Sequence, residues 1–150
     1  MDIKKNASFT VDHTKFGEGL YISRIDGDIT TYDMRTRRPN SGDYMDHITM
    51  HTFEHMFSTY IRNSGLDVIY FGPMGCQTGF YLLVRNADND AVISEILNAC
   101  EKIASHDGDV FGNSEIECGN FRSLDLATAK DEAKKYIDVL KNKEIDFKYF

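Results

Sequence analysis

Met50-His51-Thr52-Phe53-Glu54-His55-Met56-Phe57-Ser58-Thr59-Tyr60-Ile61 is the stretch on which the reading of the chain turns. Met50, Phe53, Met56, Phe57, Tyr60 and Ile61 recur at three- and four-residue intervals, the period of a helix with one apolar face. His51, Glu54 and His55 fall on the other side. Positions i and i+4 stand one above the other on a helix, so the two imidazoles can share one ion, and Glu54 projects from nearly the same sector. Two imidazoles with an intervening carboxylate form the H-x-x-E-H arrangement of metalloenzymes. The apolar stripe is expected to anchor this helix to a sheet, with the ligand face turned away. It begins at about Asp46, and Asn63-Ser64-Gly65 ends it. His47 lines up with the other two histidines, but i and i+8 lie about 12 Å apart along the axis, so it reads as a helix-start residue.

Working outward, the period changes to that of strands. Leu20-Tyr21-Ile22-Ser23-Arg24-Ile25 reads as a strand, Asp26-Gly27-Asp28 as a hairpin turn, and Ile29 to Arg37 as the returning strand, ended by Pro39-Asn40-Ser41-Gly42. Beyond the helix, Val68-Ile69-Tyr70-Phe71 and Gly79-Phe80-Tyr81-Leu82-Leu83-Val84 read as strands around a break at Gly72-Pro73-Met74-Gly75. A second helix is expected from Asp90 to Ser105, burying Val92, Ile93, Ile96, Leu97, Cys100, Ile103 and Ala104. A third spans about Asp125 to Lys141, with Ala129, Ala133, Tyr136, Ile137 and Leu140 inward. The order β-β-α-β-β-α-α predicts one α+β domain over residues 1–150, an antiparallel sheet with helices on one face. Phe9, Phe53, Phe57 and Phe80 are assigned to the core. Lys130-Asp131-Glu132-Ala133-Lys134-Lys135 is assigned to a solvated helix face, and His106 to solvent.

Composition narrows the function classes. A content of 41% hydrophobic and 27% charged residues is that of a globular protein. A net charge of −7 argues against nucleic acid, whose phosphates call for clustered Lys and Arg. No apolar run approaches the ~20 residues of a membrane span, and Met1-Asp2-Ile3-Lys4-Lys5-Asn6 leads into no apolar signal core. Cysteines at 76, 100 and 118 fit a reducing cytoplasm better than a disulfide framework. The expected location is cytoplasmic.

A catalytic site of the zinc type takes three protein ligands and leaves a position open, so His51 and His55 need a partner. Glu115, Glu117 and Cys118 are the candidates, and spacing alone does not choose among them. Cys76 is a separate case. It lies in Pro73-Met74-Gly75-Cys76-Gln77-Thr78-Gly79, whose two glycines permit unusual backbone angles and close approach of a ligand. A thiol on such a loop beside a divalent cation would ionise readily and could move protons. Cys100 reads as a small buried residue.

These pieces together resemble the S-ribosylhomocysteine lyase (LuxS) family. The resemblance runs through Ser8-Phe9-Thr10-Val11-Asp12-His13-Thr14-Lys15, Tyr32-Asp33-Met34-Arg35, Pro39-Asn40, His51-Thr52-Phe53-Glu54-His55, Pro73 to Tyr81, and Cys118-Gly119-Asn120. It implies a homodimer with active sites at the subunit interface. It implies one ferrous ion per subunit, replaceable by zinc or cobalt, on His51, His55 and Cys118. Glu54 and Cys76 would be the acid/base pair, and Ser8, His13 and Arg35 would contact substrate. The implied reaction cleaves S-ribosyl-L-homocysteine to L-homocysteine and 4,5-dihydroxy-2,3-pentanedione, the autoinducer-2 precursor. Two stretches depart from the family's usual sequence: Phe16-Gly17-Glu18-Gly19-Leu20 and Tyr70-Phe71-Gly72. They bear on the rim of the pocket rather than on the chemistry.

The residue types suit that reaction. Breaking the thioether requires the sugar carbonyl to migrate first, by enediolate steps that a Lewis acid stabilises. Each step moves protons between neighbouring atoms, which is work for two general acid/bases. Two other readings use the same residues. A small metallopeptidase would take Glu115 or Glu117 as third ligand and give Cys76 no task. A non-catalytic structural module would close the site with His51, His55, Cys76 and Cys118.

Overall fold

A computed structural model describes residues 2–150. Among them the regular elements run β1 (Gly19–Asp26), β2 (Ile29–Arg35), α1 (His47–Arg62), β3 (Asp67–Pro73), β4 (Gly79–Arg85), α2 (Asn89–Ala104) and α3 (Leu126–Lys141), preceded by a single 3-10 turn at Ala7–Phe9. The four strands form one antiparallel sheet in the order β1-β2-β4-β3. The expected α+β fold is the one observed.

Alternation on the strands explains why one face is covered. Leu20, Tyr32, Met34, Phe80, Leu82 and Val84 are buried in one core with Phe53, Met56, Phe57 and Ile61 of α1. Neighbouring strand residues point the other way, and there Tyr70 is 52% exposed. α1 packs on β3, and α2 and α3 pack against α1 and each other. Aromatic rings fill the α1 contact: Phe57 meets Phe71 with centroids 4.5 Å apart, and Phe53 meets Phe80 at 4.9 Å. Thus α1 is clamped along its apolar stripe while His51, Glu54 and His55 remain only half-buried on its other side.

Each helix starts on an aspartate whose carboxylate accepts from a backbone N–H of the first turn: Asp46 from Thr49, Asp88 from Ala91, Asp125 from Ala127. These side chains satisfy donors that a helix start leaves free. Hydrogen bonds from Thr49 hold the Asp46 carboxyl below its ordinary range. His47 is the first residue of α1, as expected from its position in line.

Four expectations need correction. Glu132 is not on a solvated face: it is 2% exposed and receives Arg37 Nη1 and Nη2 at 2.5 and 2.7 Å. Phe9 is not in the core; it sits on the 3-10 turn, 69% exposed. His106 does not simply face solvent. Its Nε2–H donates to Asp109 O at 2.8 Å, and its Nδ1 accepts from the Tyr60 hydroxyl at 2.7 Å. Arg37 lies beyond the end of β2, which stops at Arg35 where Thr36 and Arg37 turn their N–H groups to Thr78 O.

Candidate metal centre

His51 and His55 stand on successive turns of α1, and each ring is held by a carbonyl on the segment between α2 and α3. His51 Nδ1 lies 2.9 Å from Ser123 O, and His55 Nδ1 lies 2.8 Å from Phe111 O. A carbonyl only accepts, so Nδ1 carries the proton in both rings and Nε2 presents its lone pair. Cys118 comes from the same segment, its sulfur 3.4 Å from His51 Nε2. The ligand atoms of His51, His55 and Cys118 all lie within 4.8 Å of one another. Three donors tetrahedrally arranged on one ion, with bonds of about 2.0–2.3 Å, would be about 3–4 Å apart. Two imidazoles and a sulfur suit a divalent transition metal and leave a fourth position open.

The other candidates for third ligand fall outside this group. Glu115 and Glu117 are exposed, and Glu117 accepts the Ser114 hydroxyl at 2.6 Å. Cys118 is steadied by its own turn: its N–H donates to Ser114 O at 3.0 Å, and Asn120 N–H reaches its sulfur at 3.4 Å.

Gly112 packs against His55. Its φ is +69°, and a Cβ built there would lie 3.1 Å from His55 Nδ1, where the tether to Phe111 is made. Gly112→Ala is therefore expected to weaken metal affinity by about 10- to 100-fold, the cost usual for disturbing a ligand's outer partners. Chelator competition measures it, with circular dichroism checking that the fold is kept.

The remaining candidate residues fall into three separately lined cavities. Glu54 shares one of about 490 Å³ with His55, Ser58, Thr59, Phe111, Gly112 and Glu117. Cys76, Arg35 and His13 share another of about 210 Å³ with Thr78 and Tyr44. Ser8 lines a third beside Tyr81, on the sheet face opposite the helices.

The Cys76 loop is built by close contacts rather than by free glycines. Gly79 is required because a Cβ there would lie 2.6 Å from Met34 O. The residue in the left-handed region is Gln77, with φ +65°. Its backbone and side chain both bond to Met45, at 3.0 and 2.8 Å, which holds the strained conformation. Cys76 is thereby left exposed with Thr78 Oγ1 3.0 Å and Arg35 Nη1 3.9 Å from its sulfur. Arg35 is itself buried and forked onto Asp33, Nε to Oδ1 at 3.1 Å and Nη2 to Oδ2 at 2.6 Å. Burial opposes the charge on Arg35, but the Asp33 carboxylate more than compensates, and its pKa is raised.

A family model described as S-ribosylhomocysteinase (LuxS) matches residues 6–146. The chain belongs to this family. Among LuxS relatives, the S-ribosylhomocysteine lyase of Desulfotalea psychrophila is 43% identical over 152 residues, covering 93% of this chain and 94% of that protein. The lyase of Borreliella afzelii is 39% identical over 156 residues, with 98% and 99% covered, and that of Finegoldia magna is 38% identical over 146 residues.

The LuxS match spans every candidate residue, from Ser8 to Cys118. Sequence reasoning did not find Asp33 or Thr78 as neighbours of Arg35, although the i, i+2 spacing of Asp33 and Arg35 places both on one face of β2. Nor did it find the Ser123 and Phe111 tethers. These belong to backbone carbonyls and leave no trace in residue type.

Proposed function

We propose that this chain is a metal-dependent carbon–sulfur lyase that cleaves S-ribosyl-L-homocysteine to L-homocysteine and 4,5-dihydroxy-2,3-pentanedione by carbonyl migration and β-elimination. The observation that carries this reading is the open three-ligand group His51–His55–Cys118 in a chain 43% identical to a protein named S-ribosylhomocysteine lyase. Residues His51, His55 and Cys118 would hold one divalent ion, ferrous iron with zinc or cobalt able to replace it. That ion, when bound, supplies Lewis acidity toward the sugar's carbonyl and hydroxyl oxygens.

The protein's own groups do the rest. Cys76 and Glu54 are assigned as the proton carriers. Moving the carbonyl from C1 to C2 and then to C3 takes a proton from one carbon and returns one to its neighbour at each step. With the carbonyl at C3, the C4 proton is acidic. Its removal expels homocysteine thiolate from C5. Arg35 Nη1 and Thr78 Oγ1 lie 3.9 and 3.0 Å from the Cys76 sulfur. His13 and Arg35 line the Cys76 cavity and Ser8 the sheet-face cavity, and they are assigned to substrate.

A homodimer with interface active sites fits the separate linings. Glu54 and Cys76 open into different cavities of one chain, and the sheet face opposite the helices leaves Tyr70 exposed. The product would serve as autoinducer-2 precursor, and the expected location is cytoplasmic. No helix among the described residues is long and apolar enough to cross a membrane.

The test is thiol release. Protein loaded anaerobically with ferrous or cobalt ion is given S-ribosylhomocysteine, and free homocysteine is followed with a thiol reagent. One thiol per substrate consumed, dependent on the ion, is the expected result. No release at one bound ion per chain would falsify the lyase reading.

A further inference from the structure

The last residues of the chain fold back onto the free edge of the sheet. Phe147 makes a parallel bridge to Tyr21 of β1, and Ile22 N–H donates to Phe147 O at 2.8 Å. This contact delivers Tyr149 to the face opposite the helices. Its ring stacks on Tyr21, centroids 4.8 Å apart at 19°, and packs on Phe16 at 4.8 Å. Its hydroxyl donates to Asp33 Oδ2 at 2.8 Å, the same oxygen that receives Arg35 Nη2 at 2.6 Å. Phe16 in turn lies under the Arg35 guanidinium, 5.1 Å from ring centroid to Cζ, and beside His13 at 5.3 Å. Residues 147–150 lie beyond the stretch that the family model matches.

We propose that Tyr149 is a positioning residue: its hydroxyl holds the Asp33 carboxylate, Asp33 aims Arg35, and Arg35 sets the surroundings of the Cys76 sulfur. Arg35 hangs on three flexible methylenes, and the fork onto Asp33 is what turns Nη1 toward Thr78 Oγ1 at 2.8 Å and the Cys76 sulfur at 3.9 Å. Asp33 is 0% exposed, so water does not replace a lost donor. Without the Tyr149 hydroxyl, Oδ2 loses one of its two donors, and that unmet acceptor has a cost in a buried place. The carboxylate charge then falls more fully on Arg35, and less positive potential reaches the sulfur. Tyr149 is fit for this task across the neutral range: burial, with Asp33 next, pushes its phenol pKa up, so it remains a donor.

The kinetic arm of the test rests on the lyase reading; the chemical arm does not. Cys76 is exposed, and its alkylation by iodoacetamide can be followed by peptide mass spectrometry in cobalt-loaded protein. Tyr149→Phe keeps the stack and removes only the hydroxyl. Alkylation of Cys76 at fixed pH is expected to slow about three- to tenfold, the loss of one hydrogen bond's worth, with metal content unchanged and the melting temperature lower by about 2–4 °C, the cost of the unmet Asp33 acceptor. The kcat for thiol release should fall by the same factor. Equal alkylation rates in the parent and Tyr149→Phe would overturn the proposal. So would slowing found only on deleting residues 147–150, which would leave packing as the tail's sole effect. Slowed alkylation in a protein that releases no homocysteine upholds the tether and sinks the lyase reading instead.

Discussion

Cys76→Ala, carrying one divalent ion per chain, is expected to release homocysteine about a hundred- to ten-thousandfold more slowly than the parent, the range that a positioned proton carrier contributes. Its metal content should not change. The ion's ligands come from α1 and from the segment that carries Cys118, whereas Cys76 lies on the β3–β4 loop in another cavity. The side chain is exposed, so its truncation opens no hole in the core. A closed structural site that included Cys76 requires the reverse, with the metal lost. Elemental analysis beside the thiol-release assay separates the two. Cys118→Ala is the control in the other direction, because it removes a ligand. Turnover at the parent rate in Cys76→Ala would end its assignment as a proton carrier.

The second large effect is on stability. Glu132 and Arg37 form a two-pronged pair that is nearly closed to water, joining α3 to the segment after β2. Glu132→Ala leaves the buried guanidinium with only the exposed Asp43 carboxylate, 3.3 Å from Nε, and loss of the buried partner is expected to cost about 3–5 kcal/mol. Urea unfolding with an unchanged slope should report it. For a chain of this size the melting temperature should drop by about 10 °C or more. Replacing both partners together, Arg37→Met with Glu132→Leu, should recover most of the loss, since apolar residues of similar volume need no counter-charge. If Glu132→Ala unfolds within 1 kcal/mol of the parent (about the value of a surface pair), the pair contributes no more than one on the surface.

Glu132 also marks where the sequence stops being legible. The Lys130 to Lys135 stretch carries charges of both signs at helical spacing, which is what a solvated face looks like. The partner that draws Glu132 inward lies 95 residues away. α1 was readable to within a residue because its apolar period, its Asp46 cap and its Asn63 end are all local. Phe9 was misplaced for the opposite reason: its side chain is apolar, but a three-residue turn gives it no face to bury. At the metal centre, spacing left Glu115, Glu117 and Cys118 open, and family resemblance favoured Cys118. Geometry brings together that same residue with the two histidines. The link from Tyr149 through Asp33 to Arg35 could not be foreseen, because it depends on the tail crossing back over β1.

One feature of the histidine pair bears on how this chain can vary. The groups that orient His51 and His55 are carbonyls, and every residue type has one. The Ser123 hydroxyl is buried and makes no hydrogen bond of its own among the described residues. As far as the tether is concerned, position 123 can drift among side chains that keep the backbone path. Half of what aims the imidazoles is thus written in the course of the chain and not in its letters, and comparing letters between relatives will pass over it.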